Sequence, residues 1–518
     1  MTASDSDRPS DNLMQDPLIG VRIGEEEDAV SLPGVLARLS TGTELAFPAL
    51  MPHQKHAWFA FLVQLAAIAL HRAGVEDLPS NENEWTGLLR GLTSDFEADE
   101  PWRLVVEELS RPAFMQPPVP DGSLKGFKGP FDSPDDIEVV ITSKNHDIKS
   151  NRIPCPSADH WVFGLITLQT MQGFLGAGNY GIARMNGGFA SRPCIGLVSD
   201  PTWAARFLRD VQVLVECRKT ILNRYEYYCR EDGLVLLWLE PWEGKSSLAL
   251  NELDPYFIEV CRRVRLAWEA GSVQVYMKAT KAARIAAKEI KGDTGDPWTP
   301  VRAKDGAALT VSARGLNYDL LQNVLFSPEY RPATCQETVQ GDSRGPCEVL
   351  ASALVRGQGK TEGLHERMLP FPEKARSILL TAQGRDEISR RSKERVEDAG
   401  TLAKKALKPA LLSLLQGGKD DLDFRDVRTR DWRNQLDSRV DEIFFPALWE
   451  DLELDDETAR TAWRQRIVKE ARGVLRQAEA ALPIPAGRRY RALASADNAF
   501  EAGVAKNFKD LRNRKKEA

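Results

Sequence analysis

The chain is 518 residues long, enough for two or three domains with sizeable cores. Its apolar share of 42% and charged share of 28% are those of an ordinary globular protein and exclude a disordered or fibrous one. A net charge of −6 excludes a uniformly basic nucleic-acid binder, so any such role must rest on a local basic patch or on partner subunits. Seven cysteines without a CxxC pair support neither a disulfide framework nor a zinc ribbon, and they fit a reducing cytoplasm.

Residues 1–12 are polar and acidic, read as a disordered tail, and match neither a signal nor a transit peptide. Short strands and turns are expected over 13–47, then a helix from about Pro52 to Gly74. Its apolar run, 57–70, is too short to span a bilayer and carries Gln64, so a buried helix is expected and no membrane role. A second helix is expected over 83–92. The four prolines of 112–120, with Phe114 and Met115 among them, predict a rigid extended packing segment.

Residues 132–160 read as an irregular loop around a short strand, 137–142, and carry Lys144, His146, Lys149 and Arg152. His146, Asp147, Cys155 and His160 match no standard ligand spacing, so neither a metal nor any other cofactor is expected. Residues 173–188 follow, GFLGAGNYGIARMNGG, with six glycines in one stretch. Bare backbone can approach a ligand closely and present its polar groups, and Arg184 and Asn186 add donors suited to a polyanion or a base edge. A plain surface turn accounts for the glycines equally well. GxGxxG occurs as residues 176–181, yet no βαβ unit surrounds it.

Helix is expected over 201–229 and a compact strand over 234–238. Lys245 sits in a polar turn after that strand, where a lysine is ordinarily solvated. Lys278, Lys281, Arg284, Lys288 and Lys291 recur every three or four residues, which on a helix would form one basic stripe. In RGQGKTEGLHER, 356–367, Gly359-Lys360-Thr361 invites a nucleotide-binding reading, but the phosphate-binding loop needs a glycine where Leu354 stands. What remains is Gln358 between glycines, beside Lys360.

From 371 onward the pattern is helical throughout. One helix is expected over 373–416 with a break at Pro409, and others follow on the stripes Trp432, Leu436, Val440, Ile443 and Trp463, Ile467, Ala471, Val474. A last helix is expected to about Phe508. The fold class is therefore α+β, with a mixed domain over 13–370, rich in irregular loops, and a C-terminal four-helix bundle over 371–518.

Taken in order, several stretches resemble the CasA family, the large subunit of the type I-E CRISPR surveillance complex Cascade. They are Asn12-Leu13, the Phe114-Met115-Gln116 motif, the glycine loop ending in Gly187-Gly188, the PWTPV element at 297–301, and Arg356-Gly357-Gln358 followed by Leu364-His365-Glu366-Arg367. The resemblance implies a non-catalytic, cytoplasmic clamp that finds a short protospacer-adjacent motif (PAM) in duplex target DNA from the minor groove and opens the duplex for the guide RNA. It implies a lysine finger, which Lys245 matches by its spacing to Asn251, Pro255 and Cys261. It also implies a glycine loop at Gly176, Ala177, Gly178 and Asn179, and a wedge at Gln358 with Lys360 as rival. Lys144, His146 and Lys149 fall in the segment expected to contact the guide RNA and neighbouring subunits. The implied partners are the backbone subunits, the small-subunit dimer, the subunit at the guide 5′ end, and a helicase-nuclease recruited to cut the DNA.

In a minor groove that shows mostly acceptors, a lysine donates, while peptide carbonyls accept from the amino group of G·C pairs. A wedge that starts opening meets a nearly balanced exchange of duplex for heteroduplex. Two rivals stay open: a purely architectural subunit, and a nucleotide-hydrolysing enzyme using Lys360 and Thr361.

Overall fold

The computed structural model describes residues 10–137, 139, 152–189, 191–338, 342, 345–357, 360–379 and 381–511, which divide into two compact units. The first joins residues 1–316 to 329–370; the second joins 317–328 to 371–518.

The first unit begins with the hairpin β1 (Ile19–Ile23) and β2 (Glu26–Val30), followed by α1 (Leu32–Ser40), where strands and turns alone are expected from the sequence. Ser31 caps α1 through Gly34 N, and Pro33 takes an early helical position whose N–H has no intrahelical use. α2 (Lys55–Ala73) is the hub of the core. Residues 57–70 are buried on every side, and the left-handed Gly74 ends the helix. Gln64, the one polar residue in that run, donates to the carbonyls of Tyr256 (3.0 Å) and Phe257 (3.2 Å) and so fastens α2 to a strand. α3 (Glu82–Gly91) packs against α1 and α2.

After β3 (Lys128–Phe131), α4 (Ala158–Met171) occupies sequence read above as loop and its surroundings. The expected strand over 137–142 is not seen at its described positions: Ile137 ends a 3-10 turn and Val139 lies in a turn. β4 (Cys194–Val198) and α5 (Trp203–Arg224) follow. β5 (Leu234–Leu236) pairs in parallel with β6 (Leu253–Ile258), and β7 (Arg263–Glu269) with β8 (Ser272–Lys278) forms a hairpin that β3 extends. β9 (Val301–Arg302) precedes α6 (Tyr318–Phe326), which belongs to the second unit, and β10 (Tyr330–Arg331) returns to pair with β9. β11 (Cys347–Gly357) and β12 (Lys360–Phe371) then complete a three-stranded sheet in the order β12-β11-β4. The proline-rich segment packs as expected: Phe114, Met115 and Gln116 are fully buried. The Gln116 amide donates to Leu104 O (2.8 Å) and accepts from Leu266 N (2.6 Å).

The second unit is helical. α7 (Glu373–Leu379) and α8 (Ala382–Leu402) are separated at Thr381, which caps α8. The expected break at Pro409 does not occur. One π-helical turn, Ala403–Leu407, carries α8 directly into α9 (Lys408–Leu415), so the missing proline N–H falls at the start of α9. α10 (Arg430–Glu450), α11 (Asp456–Ala481) and α12 (Ala486–Asn507) follow, with α12 on α9, α11 on α8 and α10, and α6 on α8. Trp463, Ile467, Ala471 and Val474 form the buried stripe read from the sequence. No helix among the described residues is long and apolar enough to cross a membrane.

Candidate nucleic-acid interface

The glycine loop leaves the end of α4. Its neck is closed by Phe174 N to Gly188 O (2.8 Å) and Ile182 N to Gln172 O (3.0 Å). Its tip is a tight turn in which Asn179 N donates to Gly176 O (3.0 Å) and Leu175 N to Asn179 O (2.9 Å). Gly178 is required twice over. Its φ of +86° lies in the left-handed region, and a Cβ there would stand 2.8 Å from that of Ala279. The carbonyls of Gly176, Gly178 and Asn179 are thus committed to the protein, whereas no hydrogen bond among the described residues uses the N–H groups of Gly176, Ala177 and Gly178. The loop offers donors first.

Beneath the loop the arginines are structural. Arg262 donates to Gly173 O (3.0 Å) and Tyr180 O, gripping both arms of the turn. Arg184, a donor suited to a polyanion by sequence, is 1% exposed. It donates to Phe257 O (2.8 Å), lies 4.1 Å over the Phe257 ring and faces Glu259 and Asp296 at 3.9 Å. Arg192 closes this group on Asp296 at 2.6 Å. Burial pushes the Glu259 carboxyl up to about 7 against the pull of Arg184. Burial also opposes charge on Asp296, but Arg192 and Arg184 outweigh it and hold that carboxyl below the usual range. The Gln169 amide of α4 ties the assembly together, accepting from Cys261 N and Arg262 N (both 2.8 Å) and donating to Met115 O (2.8 Å) and Arg262 O (3.0 Å).

Lys245 projects from a turn built on buried Trp242 and on Gly244, whose φ is +84°. Its side chain is 64% exposed, and its Nζ lies 2.7 Å from Glu243 Oε2. The hydrogen bond to Lys245 holds the Glu243 carboxyl below its ordinary range. Residues 279–286 join this turn to the glycine loop. Thr280 N donates to Gly178 O (2.9 Å), and the next residue, Lys281 N, donates to Gly244 O (2.6 Å). The buried Thr280 side chain sits between them, with Oγ1 3.5 Å from Gly178 O and Cγ2 filling the space that a side chain on Gly244 would need. Ser247 Oγ to Ala283 O (2.6 Å) and Leu248 N to Arg284 O (2.8 Å) continue the seam.

This seam also corrects the expected basic helix. Residues 279–286 are irregular because their backbone groups bond the two turns instead of one another, and only Lys288–Ile290 forms a 3-10 turn. Arg284 turns inward, 5% exposed, donating to Leu237 O (3.1 Å) and Glu240 O (2.9 Å). No single stripe exists.

Lys360 opens β12, half-exposed, with Nζ 3.0 Å from Glu362 Oε2. Its hairpin is attached at the exit of the glycine loop, where Ser191 Oγ donates to Leu354 O (2.9 Å). Gln358, between the two strands, lies outside the described residues, as do Lys144, His146 and Lys149. The segment holding those three is anchored at its far end by Arg152 on buried Asp135 (3.0 Å). Among the described residues no cluster of histidine, cysteine and carboxylate side chains could hold a metal. His160 serves α4, its Nδ1 accepting from Ser157 N (3.2 Å). Sequence reading missed Thr280, which follows both turns in the chain and carries no local signal that it joins them.

No family model and no curated protein sequence matches the chain. Solved structures do. Cse1 of Thermobifida fusca superposes with a TM-score of 0.63 at 14% identity, covering 97% of this chain and 99% of that one. CasA of Thermus thermophilus gives 0.60 at 15%, covering 96% and 99%. A chain of a CRISPR RNA-guided surveillance complex gives 0.51 at 13%, covering 95% and 100%. Over nearly its whole length, this chain has the CasA (Cse1) fold.

Proposed function

We propose that the chain is the non-catalytic large subunit of a type I-E CRISPR surveillance complex and that it reads the PAM of duplex DNA from the minor groove. The observation that carries this is the Thr280 seam, which places the Lys245 turn and the turn with three uncommitted N–H groups on adjacent residues of one connector. The groove shows acceptors at every base pair, and this rim offers an ammonium and peptide donors, so it tolerates several motif sequences. Gln358, with Lys360 as rival, would enter the duplex beside the motif and start its opening at a cost of a few kcal/mol, offset by guide pairing. The pair between Lys245 and Glu243 is exposed and screened by solvent, so it opens readily for the groove. The guide RNA, the backbone and small subunits and the helicase-nuclease are the partners this reading supplies; Lys144, His146 and Lys149 would serve the guide side.

The test uses the assembled complex on target duplexes with and without the motif. Lys245→Ala and Gln358→Ala should each weaken binding of the motif-bearing duplex about tenfold or more without changing the melting temperature. Equal affinity of wild type and both variants would leave a purely architectural subunit. Saturable, magnesium-dependent nucleotide hydrolysis lost in Lys360→Ala would favour the enzyme instead.

A further inference from the structure

Away from these loops, the mixed unit holds a cavity of ≈ 230 Å³ where the first turns of α2 and α5 meet the β4, β11 and β12 sheet. Lys55 and His56 from α2, Arg206 from α5, Ser352 from β11 and Glu366 from β12 line it, and Trp203 and Pro201 add apolar surface.

The charges here run against helix electrostatics. A helix N-terminus carries positive partial charge and favours carboxylates. α2 and α5 have no acidic residue in their first turns and present Lys55 and Arg206 instead. Neither cation has a carboxylate within ion-pair distance among the described residues; the Arg206 guanidinium lies 4.3 Å over the Phe59 ring. Both ring nitrogens of His56 are shut off from solvent without a hydrogen-bond partner. Burial, then Arg192, holds this imidazole well below its usual pKa, so it stays neutral and keeps one donor and one acceptor. Of the surrounding carboxylates, Glu366 lines the rim and Glu44 is 3.4 Å from Ala204 N in the first turn of α5. Lys55 and Arg206 therefore line one space; Glu44 sits at the start of α5, Asp210 draws on the Arg206 charge from the buried side, and a bound anion would relieve the repulsion that remains between the two cations.

We propose that this cavity binds one nucleoside monophosphate unit, its phosphate between Lys55 and Arg206 and its base against Trp203. The volume lies below the roughly 300–1,000 Å³ of drug-sized sites, which limits the occupant to one small anionic unit no larger than a single nucleotide. The proposal is independent of duplex reading, because none of these residues belongs to the turns described above. The unit comes from either free nucleotide or the phosphorylated end of a strand, and the probes separate them.

Calorimetric titration of the full chain would use inorganic phosphate, adenosine and cytidine 5′-monophosphate, and a short single-stranded RNA with a 5′-phosphate or a 5′-hydroxyl. Saturable binding of a monophosphate is expected, with Lys55→Ala and Arg206→Ala each weakening it at least about fivefold and Glu366→Gln tightening it about two- to fivefold. Opposite signs from opposite charges would not follow from a structural role. Lys55 is exposed, so its variant reports even if Arg206→Ala fails to fold. Tighter binding of the 5′-phosphate RNA than of free monophosphate assigns the strand end; the reverse assigns the free nucleotide. No saturable binding of any probe, inorganic phosphate bound as tightly as the monophosphates, or unchanged affinity in Lys55→Ala and Glu366→Gln would overturn the proposal.

Discussion

Arg184 and Lys245 are both cations in glycine-rich turns of the first unit, and they have opposite fates. Arg184 is sealed under its loop with two buried carboxylates, and Lys245 stands in solvent beside one exposed carboxylate. A guanidinium has five donors in a plane and can satisfy two carbonyls, a ring face and two carboxylates at once, so it suits the interior. An ammonium on a flexible stem is a strongly hydrated point charge, which suits an exposed turn. Charge in a loop thus says nothing about function until burial is known.

The largest break in that comparison would come from Arg184→Ala. It leaves Glu259 and Asp296 buried beside one arginine fewer, and a loss of about 3–5 kcal/mol in unfolding free energy is expected by chemical denaturation. A pH series sharpens the same point. The Glu259 pKa is raised by folding, so its contribution is full below about 4.5 and is lost as pH rises through about 7. Glu259→Gln should therefore gain on wild type by roughly 3 kcal/mol between those two pH values, at 1.36 kcal/mol per pKa unit. Asp296, held low, works in the opposite sense and only below the ordinary carboxylate range, so the two windows do not overlap.

Gly178→Ala comes next. A forced positive φ and the contact with Ala279 should cost about 1–3 kcal/mol and loosen the bond to Thr280, lowering duplex affinity together with stability. Lys245→Ala should do the reverse, changing stability by less than about 0.5 kcal/mol while binding falls. Smallest of all, Glu243→Gln frees the Lys245 ammonium and should raise duplex affinity about two- to threefold at low salt, as an exposed ion pair allows.

Much of the fold was legible. α3 and α5 and the stripes of α10 and α11 show in the sequence because apolar residues repeat at helical spacing. α2 is buried on every side and was legible from the length of its apolar run, whereas α4 begins inside a stretch rich in polar and charged residues that reads as loop; α1 was hidden by Pro33 and Gly34 near its start. Residues 278–291 have cations at helical spacing but form no α-helix, because backbone bonds to Gly178, Gly244 and Leu248 outweigh local propensity. At the site, the glycine positions stand out in the sequence and Lys245 only through the resemblance to the CasA family, but the direction of Arg184 and the bridging of Thr280 depend on long-range packing that no local pattern encodes.

The central claim is that the Lys245 turn and the glycine turn face one groove. Photo-crosslinkers placed singly at Lys245 and at exposed Ala177, in the assembled complex on motif-bearing duplex, test it most directly. Both should label the same or adjacent base pairs of the motif; labels on separate DNA segments, or from one position alone, would contradict it.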